Sequence, residues 1–164
     1  MKYRNAEMAL LFSTVLAMAA PAIAPGQPGP QDRWTIEREL QFKGTGLGNF
    51  SSPMDIDSDS EFLYVVEAGT KRVHVLTPDG TFTNTWGSSG TGDGQFNAPA
   101  GIVVDTNSVY VSDTGNNRIQ MFTKSGTFLG KWGSAGSGPG QFNSPRGIAV
   151  DSENVYVADT VNHR

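Results

Sequence analysis

The sequence contains no cysteine and only two histidines, His74 and His163, in 164 residues. The first absence excludes a disulfide framework, a thiolate metal site and a cysteine nucleophile. Charge is also scarce: 17% of residues are charged, and twelve Lys and Arg against sixteen Asp and Glu leave a net charge of -4. A sequence-independent nucleic-acid binder needs a clustered basic surface, so that class is disfavoured. Helical periodicity is missing throughout. Turn formers are abundant instead, with 20 Gly and 9 Pro beside strand-forming Val, Ile, Phe, Tyr and Trp. The balance predicts an all-β chain of one domain's length.

The amino end reads as an address. Lys2 and Arg4 precede a thirteen-residue apolar run at 8–20, followed by small residues up to Ala24, which is the layout of a secretory signal peptide. Pro21 interrupts the run short of the ~20 residues a spanning helix needs; an uncleaved N-terminal anchor is the alternative reading for 1–24. Cleavage after Ala19, Ala22 or Ala24 fits the small-residue pattern. Either way the basic end stays in the cytoplasm and the rest faces outward, secreted or extracytoplasmic. Residues 25–33, PGQPGPQDR, follow as a Pro/Gly linker.

A 46-residue period organises residues 34–164. Trp86 and Trp132, Gly87 and Gly133, Gln95-Phe96-Asn97 and Gln141-Phe142-Asn143, and Pro53, Pro99 and Pro145 all recur at that offset. Residues 52–97 laid over 98–143 share 20 identities, and 98–118 over 144–164 share 12. Each unit carries four short β signals, in the second unit GIVVD (101–105), VYVSD (109–113), RIQMF (118–122) and TFLGKWG (127–133). The three links within a unit are short enough to join only antiparallel neighbours, so each unit is a four-stranded meander. Apolar residues occupy both faces of these strands. One sheet of this size cannot bury both, and must stack on copies of itself as the blades of a β-propeller do.

The runs PAGIVVDTNSVYVSDTGNNRIQMF and PRGIAVDSENVYVADTVNHR resemble the NHL repeat. The resemblance covers about 34–164 and implies a six-bladed propeller of four-stranded antiparallel blades. The units fall at 52–97, 98–143 and 144–164, with a partial unit at 34–51 whose segment WTIERELQF (34–42) aligns with a fourth strand. That is about 2.5 blades of six. The expectation is a fragment of a longer protein, its remaining blades supplied by a C-terminal part or by another copy. The family includes RNA-binding modules, protein-interaction modules, sensor domains and a lyase, so the resemblance implies a fold and not a function.

Strand alternation puts the loops at 68–71, 114–117 and 160–163, with the long Gly-rich links, on one side of the disc. There Lys71, Asn117 and His163 are equivalent by the period but differ in chemistry, while Arg72, Arg118 and Arg164 beside them do not change. Variation on a fixed frame suits recognition. Lys71, Asn116, Asn117, Asn162 and His163 are accordingly the candidate ligand-binding residues. Asp113 and Asp159, with Glu67 at the same position, recur five residues before the arginines and read as structural pairs. Asp55, Asp57, Asp59 and Glu61 have the alternating spacing of a calcium loop, but Ser60 stands where such a loop needs Gly; calcium is the one cofactor they suggest. The Gly-rich segments 87–94 and 133–140 lack the strand-to-helix context and lysine of a phosphate loop. Two histidines are too few for the three-histidine zinc site the resemblance implies for a lyase, and no nucleophile elbow is present. No catalytic residue is expected. The reading is an extracytoplasmic, non-enzymatic recognition or scaffold module for a protein, peptide or glycan. A lyase or hydrolase with metal ligands in further blades is the first alternative and an RNA-binding module the second; no nucleic-acid partner is expected, and no membrane contact beyond an uncleaved anchor.

Overall fold

The computed structural model describes residues 14–19 and 35–41 as strands and residues 50–164 in full. Residues 1–13, 20–34 and 42–49, which hold most of the expected signal segment and the whole expected linker 25–33, lie outside the described residues. Strands β1 (Thr14–Ala19) and β2 (Thr35–Gln41) pair antiparallel in a sheet of their own. The segment aligned with a fourth blade strand is therefore a strand, but its described partner is β1.

Two four-stranded meanders follow. The first is β3 (Pro53–Ser58), β4 (Leu63–Glu67), β5 (Arg72–Leu76) and β6 (Phe82–Trp86), hydrogen-bonded in that order. Its long link carries a short parallel pair, β7 (Ser88–Ser89) with β8 (Gln95–Phe96). The second meander is β9 (Gly101–Val104), β10 (Ser108–Asp113), β11 (Arg118–Thr123) and β12 (Phe128–Trp132). A third sheet consists of β13 (Pro145–Val150) and β14 (Val155–Asp159). All pairs within the blades are antiparallel. Contacts between sheets concentrate on the first strands, β3 with β9 and β9 with β13. The blades therefore converge at those strands and fan outward, as in a propeller.

Burial on both faces explains the stacking. Tyr64, Val66, Val73 and Val75 of the first blade meet Ile102, Val109, Val111 and Phe122 of the second, with Phe96 from the connecting link fully buried between them. Val65 and Leu76 on the opposite face of the first blade pack with Phe50, which the period makes equivalent to Phe96. Burying one such phenylalanine contributes about 1.5–3 kcal/mol; Phe142, its equivalent at the next seam, is half-buried. Trp86 closes the same seam from outside. It lies against Phe122 and against the β11–β12 turn at Gly126, where φ is +91° and an added Cβ would sit 2.6 Å from the indole. Trp132 occupies the same place on the second blade but is 36% exposed, and Tyr156 of β14 is 54% exposed. The difference has a simple cause: the third sheet has two strands among the described residues, with no turn over Trp132 to match that over Trp86.

Candidate functional site

The loop face is built on one repeated ionic frame. Asp113, fully buried at the end of β10, accepts the Asn97 N–H at 2.7 Å on Oδ1. Its Oδ2 accepts Arg118 Nε at 2.8 Å, Asn116 Nδ2 at 2.8 Å and Gln120 Nε2 at 3.1 Å. The rest of the Arg118 guanidinium donates to the carbonyls of Thr91, Gly92 and Gln95, so one planar fork holds the Gly-rich link that leads into Phe96. The third unit repeats this. Asp159 accepts Asn143 N–H, Asn162 Nδ2 and Arg164 Nε, and Arg164 binds the carbonyls of Ser137, Gly138 and Gln141. Desolvation works to raise the Asp159 pKa, but the Asn143 N–H, the Asn162 amide and the Arg164 guanidinium outweigh it and hold the carboxyl below its usual range.

In the first unit the frame is rewritten. Glu67 accepts the Ser51 N–H and the Thr70 hydroxyl, and its Oε2 lies 3.0 Å from Nε2 of buried His74. His74 stands where the second unit has Gln120, its ring edge-on to Phe50 and Phe82. The longer glutamate reaches a ring where the aspartate reaches an amide.

Above this frame lie the five candidate ligand-binding residues, and the structure separates them. Asn116 and Asn162 belong to the frame: each donates to its aspartate and to a loop carbonyl, Gly90 or Gly136, at 2.8–2.9 Å. Their amide donors are thus committed to tying the loop. Lys71, Asn117 and His163 share a left-handed backbone, with φ of 59°, 53° and 55°. Asn117 Oδ1 accepts the Ser144 N–H of the next unit at 2.8 Å, while the Lys71 ammonium donates to its own loop at Gly69 O, 3.2 Å away. His163 is exposed. A left-handed backbone suits Gly or Asn and costs other residues about 1–2 kcal/mol. Asn117 is therefore the local optimum, whereas Lys71 and His163 are held there by the frame.

The four acidic residues read as a calcium loop do not converge. Among the described residues no three His, Cys, Asp or Glu side chains are grouped to hold a metal. Asp55 Oδ2 accepts the Ile102 N–H at 3.0 Å and Asp57 Oδ2 the Val104 N–H at 2.7 Å. These donors lie on the edge of β9 that β10 leaves open, so two side chains of the first blade complete the inner edge of the second. Burial raises the Asp55 pKa, against the lowering effect of the Ile102 and Ile56 N–H groups. Asp59 has another task, and the period reveals it: Asp59, Asp105 and Asp151 are equivalent. Each accepts the N–H groups two and three residues on and the hydroxyl of Tyr64, Tyr110 or Tyr156. The 46-residue offset of Asp59, Asp105 and Asp151 in the sequence is the signal for this turn lock. The Asp55 and Asp57 contacts have no such signal, because no periodic partner announces them.

The comparisons agree with this architecture. The NHL repeat matches residues 96–122 and 142–164. Those residues carry NHL repeats, and the described blades are those of an incomplete β-propeller. Among solved structures it is similar to an auxiliary nutrient binding protein of Bacteroides thetaiotaomicron, with a TM-score of 0.59 and 16% identity over 78% of this chain. It is also similar to a Bacteroides fragilis protein described as exported, with a TM-score of 0.54 and 15% identity over 74% of this chain. The chain spans 39% and 38% of the lengths of those two structures. At such identities the likeness concerns the fold alone. No curated protein matches in sequence. Among the described residues no helix is long and apolar enough to cross a membrane.

Proposed function

We propose that this protein is an extracytoplasmic binding module that recognises a protein, peptide or glycan through the loop face of its propeller, without catalysis. One observation carries the reading: Lys71, Asn117 and His163 stand on nearly identical left-handed backbones at equivalent loop positions, yet present an ammonium, an amide and an imidazole. A face optimised only for stability would place Asn or Gly at all three positions. Lys71 and His163 are the residues this reading assigns to the ligand, and Asn117 the residue that joins their units. The apolar run at 8–20 behind Lys2 and Arg4 supports an extracytoplasmic location, and a described nutrient binding protein with the same fold is in keeping with a binding role.

The test is a binding screen of the full chain on peptide and glycan arrays, followed by titration of any ligand found. Lys71→Ala and His163→Ala should each weaken that ligand several-fold, with the thermal transition nearly unchanged, since alanine is strained on the same left-handed backbone. A ligand that both variants bind like the parent would assign recognition to another surface.

A further inference from the structure

We infer that the cleft between the first and second blades, on the disc side opposite the variable loops, binds a small alkylammonium: a primary ammonium carried on an apolar stem. The cleft has a volume of about 550 Å³, within the range of small-molecule sites. Phe62, partly exposed above the buried Tyr64 and Val75, gives it an apolar floor, and Thr83 and Asn84 of β6 form one wall. The β11–β12 turn closes the other side, pinned by a hydrogen bond from Asn84 Nδ2 to Ser125 O at 3.0 Å.

Its charges decide what it takes. Asp59 is fully committed: Oδ1 accepts the Glu61 and Phe62 N–H groups, and Oδ2 accepts the Tyr64 hydroxyl and stands 2.9 Å from Lys124 Nζ. The Lys124 ammonium and the turn N–H groups, working against desolvation, bring the Asp59 carboxyl down to about 2. Lys124 and Asp59 thus cancel. Glu61 remains, the third charged group of the lining, and among the described residues its carboxylate accepts no hydrogen bond and joins no ion pair. A cavity with an apolar floor and one uncommitted carboxylate is complementary to a cation with an apolar body, and poorly suited to an anion or a neutral polyol.

The site also breaks the repeat. In the second unit the period puts Asn107 in place of Glu61, and Leu129 and Gly130 in place of Thr83 and Asn84, so the charge and the polar wall occur at this seam and not at the next one. The Asp59 lock, by contrast, recurs in every unit. Structural devices in this chain repeat; this combination does not, which is what a site owned by one seam requires.

The ammonium could belong to a free diamine or to a lysine side chain of a peptide. Calorimetric or NMR titration of the full chain with 1,5-diaminopentane, with Nα-acetyl-lysine amide and with 1-pentanol separates these cases. Binding of either amine at about millimolar Kd or tighter is expected, with 1-pentanol at least tenfold weaker; the stronger amine identifies the source. Glu61→Gln, at an exposed position, should weaken the amine about tenfold, and Thr83→Trp should fill the cleft and abolish binding. Asn107→Gln and Lys71→Ala should leave it unchanged, which distinguishes this site from the loop face. Equal binding of 1-pentanol, unchanged binding by Glu61→Gln, or no binding of either amine at about 10 mM would overturn the assignment.

Discussion

Replacing Asp113 by Asn removes one negative charge and changes almost no volume, at a position where the consequences can be worked out atom by atom. Asp113 is fully buried and the Arg118 side chain is 8% exposed. The amide can keep one acceptor for the Asn97 N–H, but its NH2 then faces Arg118 Nε, Asn116 Nδ2 and Gln120 Nε2, all donors. A buried guanidinium loses its counter-charge, a change that costs about 3–5 kcal/mol when one partner of a buried pair is removed. The three carbonyls that Arg118 still reaches place the expected loss at the lower end, about 3 kcal/mol. With a urea slope of about 1–3 kcal/mol/M, the midpoint should fall by about 1–3 M, read by tryptophan fluorescence.

Asp159→Asn is the internal control. The chemistry is the same, but the Arg164 side chain is 46% exposed, and water can solvate the abandoned cation. Its shift should be a small fraction of the Asp113→Asn shift. Removing both partners, Asp113→Asn with Arg118→Met, should recover part of the loss, since no buried charge is left alone. Equal shifts for Asp113→Asn and Asp159→Asn, or a double variant weaker than the single one, would show that burial of the pair does not govern its contribution.

Gly126→Ala places a Cβ against the Trp86 indole at a φ of +91° and should cost about 2–4 kcal/mol, together with a change in Trp86 emission; an unperturbed emission maximum would mean the turn does not cover the indole. Asp55→Ala and Asp57→Ala leave the Ile102 and Val104 N–H groups without their acceptors, at about 1–3 kcal/mol each, and those two amides should lose hydrogen-exchange protection before the rest of the second blade. Asp59, with a folded pKa of about 2 against an ordinary 3.8, contributes stability above pH 4 that is lost as pH falls toward 2; Asp59→Asn should flatten the acid limb of the stability curve. Asp55 has the opposite sign, its pKa being raised, so its ionisation detracts from stability as pH rises through that value, and Asp55→Asn should remove that dependence.

The blades were legible in the sequence because repetition and alternation act locally. VYVSD and RIQMF became β10 and β11 nearly residue for residue, since a strand that must bury Val109 and Val111 on one face has one workable register. The aspartate–arginine pairs were legible too, because each partner lies five residues from the other and recurs with the period. The site was read less well. Asn116 and Asn162 looked like Asn117 in the sequence; only the folded loop shows that two of the three spend their amides on a carboxylate. Asp55 and Asp57 looked like metal ligands, since an alternating strand aligns carboxylates on one face, and the sequence holds no sign that the open edge of β9 lies opposite.

By itself, then, the 46-residue period determined four-stranded blades and the aspartate–arginine pairs under the loops, because these depend on residues near one another in the chain. Tertiary structure decided which polar groups are already satisfied and which remain available. That question turns on backbone donors brought in from the neighbouring blade, about 47 residues away in the chain, and distances of that kind exist only once the blades have stacked.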